Sequence, residues 1–178
     1  SGGVRLAAGE TIRATVIGAG TYTTTLSGST IFCTEGILPL KNLPVCRLSD
    51  EEQQRCIDGE YALLENRIRH IMAQTAAENV LIAVPGKDDP TYTEIKRLAE
   101  SVCRAAEGAL PENAPMLFDA QCDMAKAMGY SMHNIVRGRH GVISIDGICV
   151  SEHDFVDIGK PLMGGMVVPV IVKTLLFG

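Results

Sequence analysis

Three short apolar runs, Val80–Val84, Met116–Phe118 and Val142–Ile145, recur along the chain with an amphipathic stretch between each pair. Strands that hide both faces read as unbroken apolar runs, and parallel sheets are where such strands occur. The first intervening stretch, Thr91 to about Glu107, turns Ile95, Leu98, Val102 and Ala106 to one side. The second, Asp119 to about Asn134, does the same with Cys122, Ala125, Met128 and Met132. Spacing of three to four residues is that of a helix packed by one face. Strand, helix, strand, helix, strand in this order calls for crossover connections. The chain is therefore read as α/β, a layered and mainly parallel sheet with flanking helices.

On either side of this frame the pattern changes. Residues 12–17 are apolar and β-branched, too few to separate strand from short helix. Residues 30–33 and 37–47 read as strands around a Glu35-Gly36 turn, with Pro39 and Pro44 marking the second as edge or irregular. Ser49 caps a helix, Glu52 completes its capping box, and the helix is read as running to about residue 76 with Gly59 as a weak point. Beyond residue 142, turn signals at Asp146-Gly147, Gly159-Lys160-Pro161 and Gly164-Gly165 give a β-rich hairpin region. That region returns along the sheet or forms a small barrel-like flap.

Composition removes several function classes. The net charge is −5, and no Lys/Arg run longer than Arg137-Gly138-Arg139-His140 occurs. Neither nucleic acid nor an anionic membrane fits as the main partner. No apolar run reaches the length of a membrane span. Six cysteines stand at 33, 46, 56, 103, 122 and 149 without a Cys-x-x-Cys pair. They are read as scattered reduced thiols of a cytoplasmic protein, with no metal site.

Candidate chemistry centres on two places. Gly18-Ala19-Gly20 is followed by Thr21-Tyr22-Thr23-Thr24-Thr25. Position 23 lacks the third glycine of a dinucleotide fingerprint, and no Gly-Lys-[Ser/Thr] ends the loop. Two readings stay open: a looser phosphate-facing turn built on Gly18, Gly20, Thr21 and Thr23, or a tight turn between packed elements. In an α/β sheet, ligands gather at the carboxyl ends of parallel strands. The loops that qualify carry Lys87 and Asp119; against them stand a solvated turn at Lys87–Asp89 and an ordinary helix N-cap at Asp119. No catalytic residue is assigned. Ser144, His140 and Asp146 can be lined up as a triad, but no nucleophile elbow supports it. Met124, Met128 and Met132 recur every four residues as core. The tip Met163-Gly164-Gly165-Met166 lacks the lysine of a biotin or lipoyl carrier.

Ile12-Arg-Ala-Thr-Val-Ile-Gly-Ala-Gly-Thr21, Leu26-Ser-Gly-Ser-Thr-Ile31, Leu38-Pro-Leu-Lys-Asn-Leu-Pro-Val45 and Asp157-Ile-Gly-Lys-Pro-Leu-Met-Gly-Gly-Met-Val-Val-Pro-Val170 share one further property. Taken together they resemble the ethanolamine utilization EutA family, the reactivating factors of adenosylcobalamin-dependent ethanolamine ammonia-lyase. The resemblance covers essentially the whole chain, its middle mainly in pattern. It implies a parent protein with an actin- and Hsp70-like ATPase core that uses ATP and Mg²⁺ to exchange damaged cobalamin. Ser1-Gly2-Gly3-Val4 imitates that family's adenosine-side loop, but Arg5 stands where its last glycine belongs. The other two nucleotide loops are missing. The chain is thus expected to be a C-terminal portion without cofactor of its own. Residues 1–28 would lead in from the ATPase core and 29–178 would form a C-terminal α/β domain. Its expected partners are ethanolamine ammonia-lyase, the rest of its own chain and a second copy of itself, in the cytoplasm or at the ethanolamine microcompartment. A free-standing phosphate- or nucleotide-binding α/β enzyme and a microcompartment scaffold are the alternatives.

Overall fold

A computed structural model describes residues 11–17, 20–28, 31–165 and 167–175, with backbone alone for 11–17 and 28. The strands are β1 (Thr11–Ile17), β2 (Gly20–Gly28), β3 (Phe32–Cys33), β4 (Leu40–Arg47), β5 (Leu81–Val84), β6 (Met116–Ala120), β7 (Val142–Asp146), β8 (Phe155–Ile158) and β9 (Val167–Leu175). The helices are α1 (Asp50–Ile57), α2 (Ala62–Thr75), α3 (Tyr92–Ala109) and α4 (Ala125–Val136). The three apolar runs are β5, β6 and β7, parallel to one another and to the end of β4.

The sheet as a whole is mixed, so the expectation of a mainly parallel sheet holds only from β4 to β7. Its strand order is β1-β2-β9-β8-β4-β5-β6-β7-β3, and every pairing outside β4–β7 is antiparallel. The change of sense happens within β4. Leu40 to Pro44 pair antiparallel with β8, whereas Val45 to Arg47 pair in parallel with β5. Between Leu40 and Leu43 the register slips, and Asn42 there has a φ of 56°. A bulge of this kind bends and twists its strand. The Asn42 N–H, turned out of the ladder, donates to Asp157 Oδ1 at 2.8 Å.

The bend produces two cores. Strands β4 to β7 lie in sequence order, so crossovers of one hand put their helices on one face. There Ile82, Val84, Met116, Phe118 and Val142 meet Leu64, Ile68, Leu98, Val102, Met128 and Met132. The opposite face, Leu81, Ala83, Leu117, Ile143 and Ile145, is covered by Val156, Ile158, Val168, Val170 and Val172 of the antiparallel arm. β8 and β9 alternate buried and half-buried residues, as strands packed by one face do. The sheet thus curls over itself, which is the expected flap. β2 belongs to the same arm, hydrogen-bonding along β9 from Gly20 to Gly28.

Two helix boundaries differ from expectation. The helix that starts at Ser49 does not run on to residue 76: it stops at Asp58, passes Gly59 at φ 96°, and resumes at Ala62. Asp119 is not an N-cap. β6 continues through it, in register with Ala83 and Ile145, and α4 starts six residues later at Ala125.

Candidate functional site

The carboxyl ends of β4 to β7 carry the polar residues that the fold gathers. On the helix side, α1 reaches over the loop after β5. Gln53, buried at 3% exposure, clamps the Gly86 peptide: its Nε2 donates to Gly86 O at 3.0 Å and its Oε1 accepts from Gly86 N at 2.8 Å. Gly86 takes φ 79°, and a Cβ there would stand 2.1 Å from Cys122 Sγ. Cys122 in turn donates to Lys87 O at 3.2 Å. The Lys87 ammonium pairs with Glu94 at the start of α3, and this contact holds the Glu94 carboxyl below its usual range.

Asp119 lies on the other side of the sheet, with Leu117. Its side chain is fully buried, and neither carboxylate oxygen meets a hydrogen-bond donor in ordinary geometry. Burial drives its pKa well above the usual carboxylate value, and the charge of Asp146 adds to this; the Ile148 N–H and Arg47 oppose it only in part. Burial away from water favours the neutral form of a carboxyl. Segment 147–150 closes over it. Gln121 Nε2 donates to Ile148 O at 3.2 Å, and Arg47 Nη1 to Val150 O at 3.1 Å. Arg67 on α2 donates to Arg47 O at 2.8 Å and pairs with Glu52 and Glu152.

Lys87 and Asp119 therefore do not form one site: each belongs to its own face and its own set of partners. The residues of the other candidate set fall on β2 or next to it. β1 ends at Ile17 and β2 begins at Gly20, the two paired antiparallel; Gly18 lies outside the described residues. Thr21 and Thr23 share a face of β2 with Thr25 and Ser27, of which the latter two are buried. β2 has β1 on one side and β9 on the other, so its amides serve the ladders. Thr21 and Thr23 thus offer hydroxyls, and with Gly20 they offer no run of free N–H groups.

The paper triad is not assembled. Ser144 Oγ donates to Ala125 O at 2.6 Å, His140 Nδ1 lies 2.9 Å from Ala114 O, and Asp146 is bonded to Ser27. All six cysteines are free. Burial pushes the Cys46 and Cys56 thiols up to about 11 and Cys103 to about 12. Thiols so raised stay protonated and unreactive near neutral pH. Among the described residues no three His, Cys, Asp or Glu side chains are grouped to hold a metal ion. No helix there is long and apolar enough to cross a membrane.

One surface feature escaped the sequence reading. A groove of about 470 Å³ between α3 and α4 is lined by Lys96, Arg104, Arg137 and Arg139, with Glu100 and Tyr92. Lys96 and Arg104 stand eight positions apart on α3, and Arg137 and Arg139 of the short basic stretch noted above follow more than thirty residues later, so nothing in the sequence joins the four.

The chain matches the family described as "Ethanolamine utilisation protein EutA" over residues 4–178. The chain belongs to the EutA family. Two relatives carry the description "Ethanolamine ammonia-lyase reactivase EutA". The one from Salmonella typhimurium strain LT2 is 35% identical over 172 residues, and the one from Escherichia coli strain K12 is 36% identical over 173 residues. Each alignment covers 94% of this chain and 34% of the relative, so the chain spans about a third of the length of these curated relatives. No solved structure matches the chain. The resemblance carried by the motifs near both ends is thereby upheld, and membership in EutA extends it through the middle of the chain.

Proposed function

We propose that this chain is the C-terminal portion of an ethanolamine ammonia-lyase reactivase, and that it works by contact with the lyase and with the rest of its own protein. In this reading the complete protein exchanges damaged cobalamin in a stalled lyase at the expense of ATP, with Mg²⁺. Its nucleotide machinery is of the actin and Hsp70 kind and lies upstream. Residues 1–28 lead in from that core, the segment Val16 to Gly20 borders its cleft, and 29–178 form the contact domain. The setting is the cytoplasm, at the ethanolamine microcompartment, with self-association between copies.

The observation that carries the reading is the family match along 4–178, together with relatives named as reactivases. The geometry supports the division of labour. Among the described residues the amides of β2 pair with β1 and β9, Lys87 pairs with Glu94, and Asp119 is buried, which supports placing the nucleotide elsewhere in the complete protein.

The test compares ATP hydrolysis by residues 1–178 with that of the longer protein, and measures recovery of inactivated lyase by each. Turnover by the longer protein alone, with recovery of the lyase, is the expected result. Hydrolysis by residues 1–178 at the rate of the longer protein would instead make the chain a nucleotide enzyme in its own right.

A further inference from the structure

We propose that the groove between α3 and α4 is a docking site for a carboxylate-rich segment of the partner protein, which under the function proposed above is the lyase. The groove follows one face of α3, where Tyr92, Lys96, Glu100 and Arg104 recur every four residues. At the rise of an α-helix this face is ~18 Å long, enough for about five or six residues of extended peptide. Its far wall includes Arg137, the left-handed residue that ends α4 with a φ of 50°, and Arg139 just beyond.

The charge here runs against that of the whole. The chain carries a net charge of −5, yet four cations and a single acid, Glu100, line this groove. Elsewhere Arg55, Arg67, Arg69, Lys87 and Lys173 each hold an acid, and the cations without one, such as Lys41, Lys126 and Lys160, are not among those lining this groove. In the groove only Arg139 holds an acid, Glu107. Arg104 is steadied by lying 5.6 Å over the ring of Tyr61. Tyr92, at the start of the groove, is 79% exposed. Unpaired arginines beside an exposed tyrosine have the composition of a protein-binding hot spot rather than of a solvated face. Planar guanidinium groups pair bidentately with carboxylates. A nucleic acid is the weaker fit, because Glu100 within the groove and Glu107 beside it oppose a phosphate backbone.

The experiment measures binding of purified lyase to the full-length protein carrying this chain, at several salt concentrations. The triple reversal Lys96→Glu, Arg104→Glu, Arg137→Glu is expected to weaken binding by at least about tenfold and to flatten its salt dependence. Glu100→Lys, a single exposed change, is expected to strengthen binding, so the proposal stays testable should the triple variant misfold by circular dichroism. A Glu-rich peptide is expected to compete with the lyase. Binding that is indifferent to both variants overturns this inference and leaves the proposed function standing. Failure of the wild-type protein to bind the lyase at all overturns both. Stronger competition by a single-stranded RNA than by the peptide assigns the groove to nucleic acid and also sinks the proposal.

Discussion

Ser27 and Asp146, 119 positions apart, close the curl of the sheet. The Ser27 hydroxyl on β2 lies 2.9 Å from Asp146 O and 3.2 Å from its Oδ1, and accepts from the Asp146 N–H at 3.1 Å. Both residues are buried. The antiparallel arm is thereby tied to the last parallel strand. Ser27→Ala leaves a buried N–H without this acceptor, at a cost of about 1–3 kcal/mol. Chemical denaturation should show a lower midpoint with an unchanged slope. A midpoint equal to that of the wild type would mean that the arm is held by the apolar core alone.

Asp119 makes stability depend on pH in a direction opposite to that of a salt-bridged carboxylate. Its folded-state pKa is raised well above the usual value by burial, so the native chain holds a proton that the unfolded chain releases. Stability is then greatest below the unfolded pKa and falls as pH rises from there toward the folded pKa. Asp119→Asn cannot ionise and should lose this slope. Urea unfolding from pH 4 to pH 8 should show the variant gaining on the wild type as pH increases. Asp146, whose pKa is also raised chiefly by burial, keeps a shallower slope of the same sign in both proteins. Parallel curves for the two proteins would refute the assignment.

What could be read in advance follows from how local each signal is. The unbroken apolar runs at β5, β6 and β7 and the capping box at Ser49–Glu52 are complete within a few residues, and that box forms as written. The split of β4 depends on a bulge at Asn42 that only pairing with β8 reveals. An acid before an apolar helical pattern has the look of an N-cap, which is how Asp119 is misplaced; its true neighbours, Ala83 and Ile145, come from strands on either side. The basic groove needs α3 and α4 side by side before its charges meet. Long-range pairing decides all three features, and a single sequence carries little trace of it.

Gly86 is irreplaceable for two separable reasons. Its φ of 79° costs a residue with a side chain about 1–2 kcal/mol, and its added Cβ would collide with Cys122 Sγ. Gly86→Ala should therefore destabilise the protein by more than the backbone term alone. Pairing it with Cys122→Ala removes the collision but not the strained φ. A double-mutant cycle should show the second change recovering part of the loss. Strict additivity would show that the loop moves away from Cys122 rather than pressing on it.

Ala76 offers the converse case, a place where glycine is the better residue. It ends α2 in the left-handed region, φ 54° and ψ 23°, and its surface is exposed. Helices ending in this way favour glycine, because a Cβ is strained there while the exposed side chain contributes little packing. Ala76→Gly should raise stability by about 1 kcal/mol, less the extra entropy that glycine adds to the unfolded chain. Thermal unfolding should show a higher midpoint. A lower midpoint would mean that the entropy of glycine outweighs the relief, and that the end of α2 carries little strain.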